Sequence, residues 1–387
     1  MSDHLAHFIR DDRACAVALG YDLEARFAQW DALRKRMARG VPDGFTRDEW
    51  AYLVTFLDRS NLREPFAQSF GEPAPAGKVG ALFRPRGPIA IWLPNNVSLL
   101  GPLTLILTSF AGRPIRVKTG SRSNDLCAAF LDYALENLPP GELADWLQAE
   151  VKVERFGRDD ERNKTLAAEA AVRIVFGSDA AATGIHGLPH PVSSIGITFA
   201  DHRSEAWVEM AALDDAKLST LIRVFAIYGH AGCTSPRRVV VIDGTPEDCA
   251  VLRKRMIGLW REEVPMHVAS QNILNSQLAA TAGWDAQLAP RHAAVLGAGS
   301  FVQREMPGVM SLAIIPATAS EAAAALPENI QTVGHCLRHA DAPEWLALLV
   351  RTPVKRWVPV AQMHHFGAVW DGVNFWRQLF EETFIQT

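Results

Sequence analysis

Gly87-Pro-Ile-Ala-Ile-Trp-Leu-Pro-Asn-Asn96 is the stretch whose reading decides the fold. Gly87 to Leu93 is a short β-rich run that enters a Pro-Asn-Asn turn. An apolar, helix-like segment follows over residues 97–110, and Pro114-Ile-Arg-Val-Lys118 is a second strand. Strand, turn, helix, strand is the unit of a parallel sheet, in which loops at the carboxyl ends of strands carry ligands. The pattern continues with a helix over 123–138, a strand over 150–154, a helix over 165–171 and a strand over 172–176 that ends in Gly177-Ser178. A doubly wound α/β domain is the prediction.

Upstream, residues 1 to about 70 read as helices, with Thr46 as an N-cap before the acidic pair Asp48-Glu49. Downstream, a new region begins after residue 199. A helix over 213–228 runs into a cysteine-bearing loop, followed by a strand over 238–242, a helix over 245–263 and a strand over 309–315. From Thr352 the chain carries Trp357, His364, His365, Trp370 and Trp376, a dense aromatic tail that reads as packed.

The 387 residues suit two interlocked domains, or two plus a small appendage, and 48% apolar with 21% charged residues is ordinary globular composition. A formal charge of -4 gives no concentrated positive charge for a nucleic acid. The five cysteines form no CxxC pair and no Cys/His zinc spacing, so reduced thiols and no metal site are expected. The first residues show no export signal, which makes a cytoplasmic location the default. The most apolar stretch, 97–110, contains Ser, Gly, Pro and Thr and falls short of the roughly 20 residues of a bilayer span.

Gly232-Cys233-Thr-Ser-Pro-Arg237 carries the chemistry. A cysteine in a loop after a long apolar helix, followed by small polar residues and a turn-forming proline, is the setting of a nucleophile whose thiolate is favoured by backbone N–H groups. A buried small hydrophobe is the ordinary alternative for a lone cysteine.

Taken in order, Ile91-Trp-Leu-Pro-Asn-Asn96, Pro114-Ile-Arg-Val-Lys118, Phe176-Gly-Ser178 and Cys233-Thr-Ser-Pro236 resemble the aldehyde dehydrogenase superfamily, and within it the LuxC-type acyl-CoA reductases. The first is similar to the family's strand ending in Pro-x-Asn, and the second to the strand ending in its cofactor lysine. The third is similar to the Gly-Ser opening a helix beneath the cofactor, and the fourth to the nucleophile loop. Glu305-Met-Pro-Gly308 resembles a Glu-x-Phe-Gly motif whose glutamate holds the nicotinamide ribose, with Pro307 in place of Phe.

The resemblance implies an aldehyde-dehydrogenase-like α/β fold of two interlocked doubly wound domains. The resemblance spans roughly Val79 to the C-terminus; after the helical region read over 1–70, it implies a cofactor-binding domain over 71–207 and a catalytic domain over 208–345. Residues 346–387 form a segment that returns to the cofactor domain or a subunit interface. Cys233 is then the nucleophile and Asn96 the oxyanion donor, although Asn95 could exchange roles with it and either amide could simply close an Asx turn. His230 is a candidate acid/base for the thiol, equally readable as a packing or capping group. Lys118, Gly177, Ser178 and Glu305 are assigned to the cofactor; a surface lysine and an ordinary Gly-Ser turn are the plainer readings. Where NAD-preferring members commonly carry a glutamate, this chain has Ser121-Arg122, which suits a 2′-phosphate and points to NADPH.

The family's oxidising members carry a glutamate base about three dozen residues before the cysteine, and Ser194-Ile-Gly-Ile-Thr-Phe199 has none. An acyl-cysteine without activated water is left for a hydride or a thiol. The expected activity is reduction of an acyl-CoA, or a carrier-bound acyl thioester, to the aldehyde, by a homo-oligomer. Two alternatives stand beside it: an aldehyde dehydrogenase using Glu205 or Glu209 as base, and a catalytically silent scaffold subunit.

Overall fold

In the computed structural model, which describes residues 4–120, 126–227, 232–301 and 305–386, the Ile-Ala-Ile-Trp run is the middle strand of a five-stranded parallel sheet. Its strands are Ile89–Trp92, Ile115–Thr119, Val151–Arg155, Val172–Gly177 and Ile195–Ala200, arranged third, second, first, fourth, fifth. Ile89 faces Ile115 on one side and Val172 on the other, and all four residues of its strand are buried. Parallel strands covered on both faces are near-continuous apolar runs, which is why this one stood out. Crossover helices cover the faces. Leu100–Ser109 is apolar and buried almost all round, and Leu126–Asn137, Glu142–Glu150, Arg162–Glu169 and Asp179–His186 supply the rest.

The sheet belongs to a compact unit of Met1–Ala200 with Phe366–Thr387. Here the N-terminal expectation is corrected. Residues 4–19 are a β-hairpin, His4–Arg10 against Arg13–Leu19, and only Leu23–Met37, Arg47–Phe56 and Arg59–Phe70 are helical. The turn is made by Asp11 and Asp12, both at positive φ (49° and 63°), as a two-residue hairpin turn matching strand twist requires. The hairpin extends through Ala81–Pro85 to the C-terminal strand Phe380–Phe384, which pairs antiparallel with Ala81–Pro85. The aromatic tail is packed in this unit. Trp376 is fully buried, meets Phe66 and Phe110 edge-on, and donates its indole N–H to the Leu107 carbonyl at 2.8 Å.

Asp201–His365 forms the second unit, around a seven-stranded sheet. Six strands are parallel, in the order Val295–Ala298, Ser311–Ala317, Pro236–Ile242, Arg203–Val208, Ile330–Cys336, Arg356–Pro359; Asp285–Leu288 is antiparallel at one edge. Strand alternation splits the core in two. Val239 and Val241 pack on one face with Leu312 and Ile314, and Val240 and Ile242 on the other with Ala313 and Ile315. Helices Asp215–Ala226, Pro246–Leu259 and Met266–Thr281 belong to this unit, and Thr245 and Asp248 form a capping box at the start of the second. Among the described residues, no helix is long and apolar enough to cross a membrane.

Candidate functional site

In the first unit the order of strands reverses between Ile89–Trp92 and Val172–Gly177. Open α/β sheets bind ligands outside the carboxyl ends of such a pair. Pro94-Asn95-Asn96 follows the first strand of the pair and Ser178 follows the second. Leu93 N–H extends the ladder to the Lys118 carbonyl at 2.9 Å. Asn95 is lodged against Gly120, where any Cβ would lie 2.2 Å from its Oδ1, so residue 120 admits only glycine while that amide stays put. Asn95 and Asn96 are both exposed.

Lys118 is half-buried, and burial alone lowers its ammonium pKa. Among the described residues it makes no ion pair. Ser178 is the N-cap of helix Asp179–His186, accepting from Ala181 N–H at 3.2 Å. The first-turn N–H groups of that helix are an anion-binding end, tempered by Asp179 in the same turn. Ser121, Arg122 and His230 lie outside the described residues.

In the second unit Cys233 is exposed, whereas Cys15, Cys127 and Cys249 are buried and Cys336 is half-buried. Burial pushes the thiol pKa of Cys15 and Cys336 up, and that of Cys249 to about 12 with help from Asp248. The loop around Cys233 is held at several points. Its carbonyl accepts from the buried Ser204 hydroxyl at 2.7 Å, and Ser235 N–H closes a turn on the Gly232 carbonyl at 3.1 Å. Thr234 Oγ1 meets His364 Nδ1 at 2.5 Å, and His364 Nε2 meets the Val224 carbonyl at 2.7 Å.

A carbonyl only accepts, so His364 carries its proton on Nε2, and Nδ1 accepts from the Thr234 hydroxyl. Burial, with Arg356 and His365 adding to it, lowers the imidazole pKa to about 4 against the opposing bond to Val224. His364 thus joins the helix before the nucleophile to the loop after it. The sequence showed this residue only as part of an aromatic tail, because its partners lie 130 and 140 positions away.

Glu205, Glu209 and Glu305 of this unit are each engaged with a cation. Glu205 is buried, pairs with Arg238 at 2.6 Å and accepts from the Trp207 indole at 3.3 Å; burial raises its pKa against those partners. Glu209 lies just beyond the carboxyl end of strand Arg203–Val208 and pairs with Arg338 at 2.9 Å. Ser204, which touches the Cys233 carbonyl, is at the opposite end, roughly 16 Å away at about 3.3 Å per residue. Glu305 is exposed and ion-paired with Arg203. Its loop is fixed by Gly308, at φ +90°, against the Asn275 carboxamide. Among the described residues, no cluster of His, Cys, Asp and Glu is arranged to hold a metal ion.

The family described as acyl-CoA reductase (LuxC) matches residues 53–266, more than half of the chain. Comparison with curated proteins gives no match. Among solved structures, the chain is similar to an NAD-dependent benzaldehyde dehydrogenase from Corynebacterium glutamicum, at 12% identity and TM-score 0.65 over 95% of this chain and 86% of that one. It is also similar to a salicylaldehyde dehydrogenase from Pseudomonas putida G7 complexed with salicylaldehyde, at 13% identity and TM-score 0.67 over 95% and 86%. An oxidoreductase from Marinobacter aquaeolei matches at 12% identity and TM-score 0.67 over 94% and 86%. The fold is aldehyde-dehydrogenase-like, as the ordered motifs implied.

Proposed function

The chain belongs to the acyl-CoA reductase (LuxC) family, and from that premise we propose that it reduces an acyl thioester to an aldehyde through an acyl-enzyme on Cys233, with NADPH as reductant. One observation carries the reading. The exposed cysteine shares its unit with carboxylates already committed to cations, Glu205 to Arg238, Glu209 to Arg338 and Glu305 to Arg203. An acyl-cysteine that lacks a base to activate water persists long enough to be reduced.

The Cys233 thiolate attacks the thioester carbon, forms a new carbon–sulfur bond and expels the carrier as its thiolate, which takes up a proton. The negative oxygen of each tetrahedral adduct needs a positioned donor. That role is assigned to the Asn96 carboxamide with the Cys233 backbone N–H, and the packing of Asn95 on Gly120 supports choosing Asn96. A reduced nicotinamide, when bound, supplies the hydride. Cys233 then leaves the reduced carbon as thiolate and the aldehyde is released. The residues of the first unit fit a dinucleotide: a sheet switch point, a Ser178-capped helix end and a half-buried Lys118 that makes no ion pair among the described residues. The choice of NADPH over NADH rests on Ser121 and Arg122 of the sequence.

Enzyme mixed with acyl-CoAs of graded chain length, first without and then with NADPH, tests the proposal. Intact-mass analysis should find one acyl adduct mapping to Cys233 before NADPH is added. Adding it should consume the adduct and yield trapped aldehyde. Absence of thiol release at every chain length would overturn the reading.

A further inference from the structure

We infer that Arg203 and Arg237, at the amino ends of two central strands of the second unit's sheet, form an anion subsite that takes a phosphate group. A cavity of about 220 Å3 opens there, lined by Arg203, Ser204, Glu205, Arg237, Arg238 and Glu305 among others. It adjoins the nucleophile loop, because Ser204 lines it and also holds the Cys233 carbonyl.

The backbone is built irregularly at this place. Between strands Arg203–Val208 and Pro236–Ile242 the register steps from Ser204↔Pro236 to Ala206↔Val239, which leaves one extra residue on the second strand. A second step lies on the other side, from Arg203↔Ile330 to Ser204↔Thr332. Bulges re-aim side chains that strict alternation would send to opposite faces. Here Arg237 and Arg238 both reach the same cavity.

Among the described residues the charges in the cavity do not balance. Arg238 is matched by Glu205 in a buried pair, with Arg238 Nε left without a hydrogen bond, and Arg203 is matched by Glu305. Among the described residues Arg237 has neither hydrogen bond nor ion pair. Arg237 is exposed at the cavity, and partial desolvation of its guanidinium with the nearby charge of Arg203 lowers its pKa. An anion is therefore the complement. The Arg203–Glu305 pair is exposed on both sides, and such pairs contribute only about 0–1 kcal/mol. Arg203 is thus available to a ligand that two guanidinium forks would bind more strongly.

The choice of phosphate over other anions rests on the proposed reaction, in which both the thiol carrier and the dinucleotide bear phosphates. Calorimetric titration of the full chain with CoA, NADPH and the phosphate-free pantetheine distinguishes the sources. Arg237→Gln and, independently, Arg203→Gln should weaken CoA or NADPH tenfold or more. The exposed Arg158→Gln in the first unit serves as control and should stay within twofold of wild type. Loss confined to CoA, with pantetheine unchanged, assigns the site to the thiol carrier. Loss confined to NADPH assigns it to the dinucleotide. Affinities within twofold for both variants, equal weakening of pantetheine, or a wild type that binds neither nucleotide would overturn the subsite. Binding is read without turnover, so failure of the reductase reading shows separately, as absent thiol release.

Discussion

Replacing His364 with asparagine tests how the nucleophile loop is held. In the folded chain the imidazole stays neutral down to about pH 4, whereas in the unfolded chain it takes up a proton near its ordinary value of 6.5. Between those values the unfolded state binds more protons, so this group's contribution to stability is full above about pH 6.5 and is lost as the pH falls toward 4. A shift of this size corresponds to about 3 kcal/mol, at about 1.4 kcal/mol per unit. Asparagine does not titrate, so the variant lacks this dependence. Urea unfolding, followed by tryptophan fluorescence at several pH values from about 7.5 to about 4.5, compares the two proteins while effects of shared carboxylates cancel. Wild type should lose roughly 2–3 kcal/mol relative to His364→Asn across that range. Parallel profiles would refute a neutral imidazole locked between Thr234 and Val224.

Iodoacetamide should label Cys233 well before the other four cysteines, which are buried or half-buried, and peptide mapping of a brief reaction reads the order. Glu205→Gln should destabilise the protein by about 3–5 kcal/mol, because it strands the buried Arg238 charge; oxidation of aldehyde to acid, measured in parallel, should not fall as it would if Glu205 were the base. Asp179→Asn removes a negative group from the first turn of the Ser178-capped helix, and titration of NADPH should show roughly two- to fivefold tighter binding, the scale of a charge–helix-end interaction.

The parallel sheet of the first unit was legible because buried strands are compact apolar runs bounded by turn residues. Predicted strands over 114–118, 150–154 and 172–176 fall within a residue of those observed. The helix predicted over 213–228 was also found, at Asp215–Ala226. The N-terminal hairpin was not. Arg13–Leu19 alternates alanines with Cys, Val and Leu, a pattern weak in β-branched residues, and its turn is Asp-Asp rather than a glycine pair. Helix Met266–Thr281 also escaped, since Met266, Ile273, Leu274 and Leu278 are exposed and blur its amphipathic stripe. At the site, Cys233 announced itself by its local setting. Ser204, His364 and Arg237 did not, because their meaning arises from a strand neighbour, a distant loop and a register step, none of which leaves a local signature.

Strand Phe380–Phe384 completes a sheet begun almost at the other end of the chain, and Trp376 fills the aromatic cluster beside it. Between the two segments of that unit lies the whole of Asp201–His365, which is continuous in sequence. During synthesis the continuous unit therefore has all its strands before the earlier one does. At about 5–20 residues per second, the earlier unit waits roughly 10–40 s with its aromatic cluster unfilled and the edge of Ala81–Pro85 unpaired. That interval is when a nascent chain of this protein is most open to chaperones, and to mispairing with its neighbours on the same message.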